Sequence, residues 1–190
     1  MPLTHDERKS LLTLARETIV HTVHRQSLPP IDLDGLPEVL CRPGAAFVTL
    51  TKFGQLRGCI GSLEARRPLA LDVRENAIGA ALHDPRFPPV NATELNQLHV
   101  EVSVLSEPQP LNYTNREDLI AKLRPGVDGV IIERGWHRAT FLPQVWEKLP
   151  DPDEFLEHLC LKASLPADAY RRSDLQVSVY QVESFDESGS

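Results

Sequence analysis

The sequence predicts an α+β protein with a largely antiparallel sheet flanked by helices. Two observations carry this prediction. Strand-like runs occur in pairs joined by tight-turn sequences, and amphipathic helical segments interrupt them without the regular strand and helix alternation of a parallel α/β fold. A length of 190 residues fits one domain with room for a small lobe. We therefore expect residues 1–190 to form a single domain.

The helical segments are marked by capping residues and apolar periodicity. Thr4 followed by Glu7 forms a capping box, and apolar residues then recur at helical spacing, which predicts a helix over residues 5–25. A second helix is expected after Pro68, and the alanines along one side of it would let it pack closely on a sheet. Two further helix starts are expected, at Thr114 and at Asp151.

Two hairpins are expected among the strand-like segments. Residues 45–50 and 55–60 flank Gly54, which can take the positive φ of a tight turn. Residues 129–133 and 137–142 flank an Arg-Gly-Trp turn in the same way. Sequential strands joined by such short turns pair antiparallel.

Further along the chain, valine alternates with polar residues over 100–104, the period of a half-buried strand. A last strand is expected over residues 175–182. The tail, residues 184–190, is low in apolar residues and is expected to fray.

Composition excludes several classes of function. The formal net charge of −7 repels nucleic-acid phosphates, and no apolar run approaches the roughly 18 residues of a membrane span, so neither nucleic acid nor membrane is expected as a partner. The N-terminus does not resemble a signal peptide, which predicts a cytoplasmic protein. An odd number of cysteines at unrelated spacings predicts free thiols, which are Cys41, Cys59 and Cys160.

The glycine-bracketed segment over residues 56–61 is the most distinctive part of the sequence. A strand period of two places Arg57, Cys59 and Gly61 on one face, where the guanidinium would favour the nucleophilic thiolate. Gly58 and Gly61 would permit close approach of a substrate or of another backbone. Alternatively, Cys59 is a small core residue and the glycines only let a helix sit on the sheet.

The loop after the alanine-faced helix could return over this strand. It would place an imidazole, His83, and a carboxylate, Asp84, near the thiol, which makes Cys59 and His83 a candidate nucleophile and base. The alternative is that Asp84 and Arg86 pin the loop through hydrogen bonds while Phe87 fills the core.

Glu101 lies on the polar side of the valine strand and could line the same cleft, although the polar side of such a strand commonly faces solvent. Nucleotide-binding, zinc-protease and serine-hydrolase motifs are absent, and no cluster shows closed metal-site spacing, so no metal and no cofactor are expected. Two catalytic residues and six binding residues are thus predicted to converge on one cleft: Cys59 and His83, and Arg57, Gly58, Gly61, Asp84, Arg86 and Glu101.

The chain is similar to the AMMECR family, also called AmmeMemoRadiSam system protein A, over nearly its whole length. Six blocks match in the expected order: residues 44–50, 56–61, 84–87, 102–106, 126–130 and 141–146. The resemblance implies a domain with a smaller subdomain and a family without an established activity. It also implies a pathway shared with Memo-type proteins and radical-SAM proteins, as possible partners. The chain itself lacks a CxxxCxxC cluster motif, so any such chemistry belongs to a partner.

Two functional hypotheses follow. The first is a non-catalytic binding or accessory module that presents the cleft around residues 56–61 to a small molecule or to a Memo-type or radical-SAM partner. The second is an enzyme, a transferase or a hydrolase, that uses Cys59 as its nucleophile. The motif is richer in glycine than in acid and base groups, which favours the first hypothesis.

Overall fold

The computed structural model describes residues 2–172 and 174–188, and over these residues the chain has an α+β fold. The chain is divided into two compact units, Met1–Leu105 with Glu183–Ser190, and Ser106–Val182. The predicted fold class is confirmed, and the antiparallel strands are shared between two sheets. That the units form a single domain stays a prediction.

The secondary-structure elements are numbered in chain order. The helices are α1 His5–Val23, α2 Glu38–Cys41, α3 Leu69–Leu82, α4 Arg116–Lys122 and α5 Pro152–Lys162. The strands are β1 Pro43–Lys52, β2 Gln55–Gly61, β3 Arg67–Pro68, β4 Leu98–Leu105, β5 Gln109–Pro110, β6 Gly129–Arg134, β7 His137–Phe141, β8 Gln176–Tyr180 and β9 Val182–Asp186. Short 3₁₀ turns occur at Leu33–Gly35, Ala92–Gln97, Pro143–Glu147 and Ala169–Arg171.

The structure confirms the predicted first residues of the helices, except that the cap of α4 lies one residue later than predicted. Thr4 and Glu7 form the capping box of α1, and Asp151 caps α5. The cap of α4 is Asn115 rather than Thr114, because the Asn115 side chain accepts the Asp118 N–H while the Thr114 N–H binds the Asp118 carboxylate.

The sheet of the first unit has the strand order β2-β1-β4-β9, with β3 also paired to β1. β1 runs antiparallel to β2, β3 and β4. Alternate residues of β1, namely Ala46, Val48 and Leu50, are fully buried in one core with α1 and α3. The turn between β1 and β2 has positive φ at Phe53 and Gly54, as a tight hairpin requires.

The predicted fraying of residues 184–190 is wrong up to residue 188. β9 joins the sheet beside β4, and Phe185 is buried in the core of the first unit. Glu187 adds an ion pair with Arg16 and accepts the Val100 N–H. The buried Phe185 and the Glu187–Arg16 ion pair thus hold a segment whose composition alone indicates disorder. Residues 189–190 lie outside the described part of the chain.

Helix α3 lies unusually close to β2. A Cβ built on Gly58 would come within 2.1 Å of the Ala80 carbonyl oxygen, and a Cβ on Gly79 would come within 2.9 Å of Ile60. The alanine-faced helix therefore packs closely on the sheet, as its small residues predict. The close packing of α3 on β2 fixes the position of the C-terminal end of α3. It therefore also fixes the position of the loop that begins at His83.

The second unit has the strand order β5-β8-β6-β7 and a core of its own. Trp146 stacks on Phe155, with ring centroids 3.7 Å apart, and its indole N–H donates to the Asp128 carbonyl. Cys160 is fully buried on the inner side of α5.

Candidate functional site

The strand that carries the predicted site, β2, contains a β-bulge at Arg57. Two consecutive residues of β1, Leu50 and Thr51, pair with Gly58 and Leu56, so Arg57 between them has no cross-strand partner. An extra residue of this kind breaks the alternation of side chains along a strand.

The bulge separates Arg57 from Cys59. Cys59 pairs with Thr49, and Leu56 pairs with Thr51. Cross-strand partners lie on the same face of a sheet, so Cys59 shares its face with Leu56. The prediction that Arg57 and Cys59 share a face is wrong, because a strict period of two does not survive the bulge.

We call the side of the first sheet away from α3 the Cys59 face. Its members on β1, β2 and β4 follow from the register and are Ala45, Phe47, Thr49, Thr51, Leu56, Cys59, Gly61, His99, Glu101, Ser103 and Leu105. Apart from Gly61 and the apolar Ala45, Phe47, Leu56 and Leu105, these side chains carry polar or thiol groups. The face therefore differs from the apolar face that packs on α3.

Cys59, Thr49 and Glu101 form one row across three strands. Thr49 is the direct partner of both other residues, and its hydroxyl donates to the Cys59 Sγ at 3.3 Å. Neighbouring strands lie about 4.8 Å apart, so the backbones of Cys59 and Glu101 are roughly 10 Å apart. Thr49 therefore lies between the strand that carries the Cys59 thiol and the strand that carries the Glu101 carboxylate.

Glu101 is a half-buried carboxylate without a cationic partner among the residues that the structure describes. Its one hydrogen bond there is a long one, 3.5 Å from the Ser103 hydroxyl. The Ser103 hydroxyl also bonds to that of Ser184 on β9. A partly desolvated carboxylate in this state has unused capacity to accept hydrogen bonds.

Gly61 leaves room for the ring of Phe47 beside this row. A Cβ on Gly61 would lie 2.2 Å from the Phe47 ring, which therefore lies directly over the glycine. The role of Gly61 is to admit an aromatic side chain of the neighbouring strand. The aromatic ring forms a wall of the Cys59 face.

Asp84 and Arg86 close the free edge of β2 at Cys59. The Asp84 carboxylate accepts the Cys59 N–H at 2.8 Å, and the Arg86 guanidinium donates to the Cys59 carbonyl at 3.1 Å. The Cys59 N–H and C=O therefore point away from β1, towards the side of β2 on which no further strand pairs, since β2 is an edge strand. The two side chains thus do what a further strand would do, and they protect the edge from pairing with another chain.

The same two residues bind each other. Arg86 donates from its Nε and from a terminal nitrogen to Asp84, whose side chain is nearly inaccessible to solvent. These hydrogen bonds, with that from the Cys59 N–H, hold the pKa of Asp84 well below its ordinary range. The pKa of Arg86 is raised, first by Asp84 and further by the Cys59 thiol beside it. Arg86 is therefore a cation bound to the backbone of the residue that carries the thiol.

His83 is exposed at the end of α3, where its backbone N–H donates to the Gly79 carbonyl. Hydrogen bonds among the described residues join Asp84 and Arg86 to Cys59, and none joins the His83 imidazole to it. The roles assigned to Cys59 and His83 as nucleophile and base stay a prediction, without a contact that supports the pair.

Arg57 belongs to a different charged group. Its guanidinium makes two hydrogen bonds of 3.0 Å to Glu94, which also accepts from Lys52 at 3.1 Å. Arg57 and Glu94 are both largely buried, with 11% and 12% of their side chains exposed. Hydrogen bonding from Arg57 is the main reason why the pKa of Glu94 falls to about 2. This group ties the β1–β2 hairpin to the turn that precedes β4.

Replacing Glu94 by glutamine is expected to lower the free energy of unfolding by about 2 kcal/mol at neutral pH, because two cations lose their anion. The folded pKa of about 2 lies below the ordinary value of 4.5, so this stabilisation is present above about pH 4.5 and is lost as the pH falls through about 2. Urea denaturation of both proteins over this range measures the effect. The exposed Glu75→Gln serves as the control, and a Glu94→Gln deficit that does not change with pH contradicts the account.

Sequence reasoning missed a buried polar group on α3. The Asp72 carboxylate accepts from the Ala46 N–H, from the Ser62 hydroxyl and from the Asn76 amide, and all three distances are 3.0 Å or less. Burial raises the pKa of Asp72 despite these bonds. The signal was available, since Asp72 and Asn76 lie four residues apart on the side of the helix that carries Val73 and Ala77.

The described part of the chain contains no group of three or more His, Cys, Asp or Glu residues arranged to hold a metal ion. Likewise, no helix in that part is long and apolar enough to cross a membrane. The expectations of no metal, no cofactor and no nucleic-acid partner stay predictions.

The fold and this site define a class of α+β protein with two antiparallel sheets and a Cys-Thr-Glu row on the first of them. A sequence model of the AMMECR1 family matches residues 12–185. The chain therefore belongs to the AMMECR1 family, as its motifs predict.

Relatives of similar length are found in archaea. A protein of Methanothermobacter thermautotrophicus is 44% identical over 190 residues, which are 99% of this chain and 98% of that protein. Protein MK0488 of Methanopyrus kandleri is 38% identical and covers 97% of this chain, at 90% of its own length. The crystal structure of the uncharacterized protein PH0010 from Pyrococcus horikoshii has a TM-score of 0.78 at 35% identity, covering 98% of this chain and 94% of that one.

Proposed function

We propose that this protein is a cytoplasmic binding or accessory module that presents its Cys59 face to a partner, rather than an enzyme that uses a thiolate. The observation that carries the proposal is the row of Cys59, Thr49 and Glu101. This row combines polar groups of three kinds on the regular part of a sheet, where the backbone holds them in fixed positions.

The half-buried Glu101 supports a binding role. Its carboxylate accepts one long hydrogen bond, from the Ser103 hydroxyl at 3.5 Å, so it can accept further hydrogen bonds from donors on a bound molecule. The hydroxyls of Thr49 and Ser103 lie on either side and can donate or accept. The Phe47 ring offers apolar contact beside them.

The environment of Cys59 favours binding over nucleophilic catalysis. A thiol nucleophile is ordinarily activated by a general base within hydrogen-bond reach. The described partner of the Cys59 Sγ is the Thr49 hydroxyl, and its backbone is bound on the outer side by Asp84 and Arg86. A hydroxyl that donates to sulfur does not act as a base towards it.

The resemblance to AmmeMemoRadiSam system proteins supports a choice of partner for this proposal. We propose that a Memo-type or radical-SAM protein of the same organism, or a small molecule of their shared pathway, contacts the Cys59 face. The redox or metal chemistry of such a pathway then belongs to the partner, and this chain contributes shape, hydrogen bonds and one carboxylate.

The second candidate function is an enzyme, a transferase or hydrolase, with Cys59 as its nucleophile. One observation favours it: the Arg86 guanidinium donates to the Cys59 carbonyl at 3.1 Å, so a cation is bound to the residue that carries the thiol. A neighbouring cation favours the thiolate form of a cysteine. In this alternative Arg86, rather than Arg57 or His83, would assist the thiol.

An affinity measurement with a Memo-type protein from the same genome tests the proposal. Thr49→Arg puts a long cation in the middle of the Cys59 face and is expected to weaken binding at least about tenfold, which is about 1.4 kcal/mol. The matched control is Thr13→Arg on the exposed side of α1, which is expected to leave the affinity unchanged. Cys59→Ser is expected to stay within about threefold of the wild type, since a binding surface does not need a thiolate.

Equal affinity of Thr49→Arg and the wild type contradicts the proposal, provided that the variant unfolds at a similar urea concentration. If Thr49→Arg does not fold, Glu101→Gln replaces it, because that change alters one charge at nearly constant volume. If the wild type turns over a substrate, and Cys59→Ser abolishes that turnover but keeps the binding affinity, the result supports the enzyme hypothesis instead.

A further inference from the structure

A groove of about 380 Å³ lies on the first unit, outside the Cys59 face. Its walls come from α1, from the loop between α1 and α2, from α2 and from α3. The lining residues on which the inference rests are Leu14, Glu17, Ile31, Asp32, Leu36 and Arg74. Its volume falls within the range of roughly 300–1,000 Å³ that is typical of small-molecule sites.

The groove contains an arginine, Arg74, that forms no ion pair with another residue of the described part of the chain. Arg74 on α3 donates a hydrogen bond to the Pro29 carbonyl, and its Nε is buried without any hydrogen-bond partner. Among residues 2–172 and 174–188, none forms an ion pair with Arg74. A half-buried guanidinium with an unused donor needs an acceptor, and a carboxylate fits its planar fork best.

The rest of the groove has two further properties. Its floor is apolar, because the partly buried Leu14, Ile31 and Leu36 line it. Its rim carries two exposed carboxylates, Glu17 from α1 and Asp32 from the loop. One half-buried cation, two outer anions and an apolar floor therefore occur together in one groove.

We infer that this groove binds a free α-amino acid with an apolar side chain. The carboxylate of the ligand pairs with Arg74, its ammonium group faces the carboxylates of Glu17 and Asp32, and its side chain lies on the leucines. A simple fatty acid would meet the two acidic residues without compensation, and a simple amine would leave Arg74 without its anion. A zwitterion satisfies both signs of charge.

The groove has no residue in common with the Cys59 face, so this inference does not depend on the proposed function. It assigns the first unit a second site, for a small molecule. Such a ligand would contact α1, α3 and the loop between α1 and α2 at once and would hold that loop in place.

Calorimetric titration with L-leucine tests the inference, with two matched ligands as controls. Leucinol lacks the carboxylate, and 4-methylpentanoate lacks the ammonium group. Both are expected to bind at least about tenfold more weakly than L-leucine, because each leaves one sign of charge in the groove unpaired.

Variants of the protein complete the test. Arg74→Met keeps the length of the side chain but removes the charge, and it is expected to weaken L-leucine binding at least about tenfold, whereas Arg74→Lys loses less. The control Arg25→Met removes an exposed arginine elsewhere and is expected to bind as the wild type does. Should Arg74→Met fail to fold, the comparison of the three ligands on the wild type still decides.

The inference is overturned by any of three results. These are no heat with L-leucine up to about 10 mM, an affinity for leucinol or 4-methylpentanoate equal to that for L-leucine, and unchanged binding by folded Arg74→Met. None of them bears on the affinity of the Cys59 face for a Memo-type protein, so the two proposals fail separately.

Discussion

Replacing Gly58 by alanine is expected to lower the free energy of unfolding by at least about 3 kcal/mol. The added Cβ would lie 2.1 Å from the Ala80 carbonyl oxygen, and backbone atoms cannot move aside as a flexible side chain can. Either α3 moves off the sheet or β2 bends, and both disturb a core that is fully buried. Urea denaturation followed by circular dichroism measures the loss.

Gly35→Ala is the matched control. Its new Cβ would approach the end of the Asp32 side chain at 3.0 Å, and that side chain can turn away. We expect a change below about 1 kcal/mol for this variant. A Gly58→Ala protein as stable as Gly35→Ala contradicts the close approach of α3 to β2, and with it the reason for this glycine in the motif.

Replacing Trp146 by alanine is expected to cost about 4 kcal/mol of unfolding free energy, the largest effect in the second unit. The indole is 2% exposed, it stacks on Phe155 and it donates to the Asp128 carbonyl at 2.7 Å. The variant leaves a cavity and an unpaired buried carbonyl at the same time. Guanidinium denaturation followed by circular dichroism measures the loss.

Trp146→Phe separates the two contributions to that loss. It keeps an aromatic ring against Phe155 but removes the indole N–H, so we expect it to lose about 1–2 kcal/mol. A Trp146→Phe variant as unstable as Trp146→Ala would show that the hydrogen bond, rather than the stack, dominates. A Trp146→Ala variant that loses less than about 1 kcal/mol contradicts the packing described for this core.

Local sequence patterns were sufficient to predict most elements of the fold. The capping box at Thr4, the proline after Asp151 and the glycine at 54 act through contacts between residues at most four apart, and the structure has them as expected. The pairing of β9 with β4 depends instead on contacts between distant parts of the chain. The composition of the tail indicated fraying because most of its residues are polar. A single phenylalanine, Phe185, is a weak indication that the segment packs in the core.

The candidate site was predicted less well, for two physical reasons. The bulge at Arg57 depends on how β1 and β2 pair around their turn, and a fixed period of two cannot include it. The position of Asp84 and Arg86 depends on where α3 crosses the sheet, and therefore on the close approach of Ala80 to Gly58. The alternative interpretation, in which these two residues pin the loop, agrees with their hydrogen bonds.

Cysteine footprinting with iodoacetamide tests the central claim most directly, because the three thiols report on different places. Cys59 and Cys41 are half-buried, and Cys160 is fully buried. With a Memo-type protein from the same genome at saturation, the account predicts that alkylation of Cys59 slows at least about fivefold while that of Cys41 stays the same. Mass spectrometry of the labelled peptides gives both rates in one sample. Unchanged alkylation of Cys59 in the complex would show that the partner binds elsewhere and would contradict the claim that the Cys59 face is the binding surface.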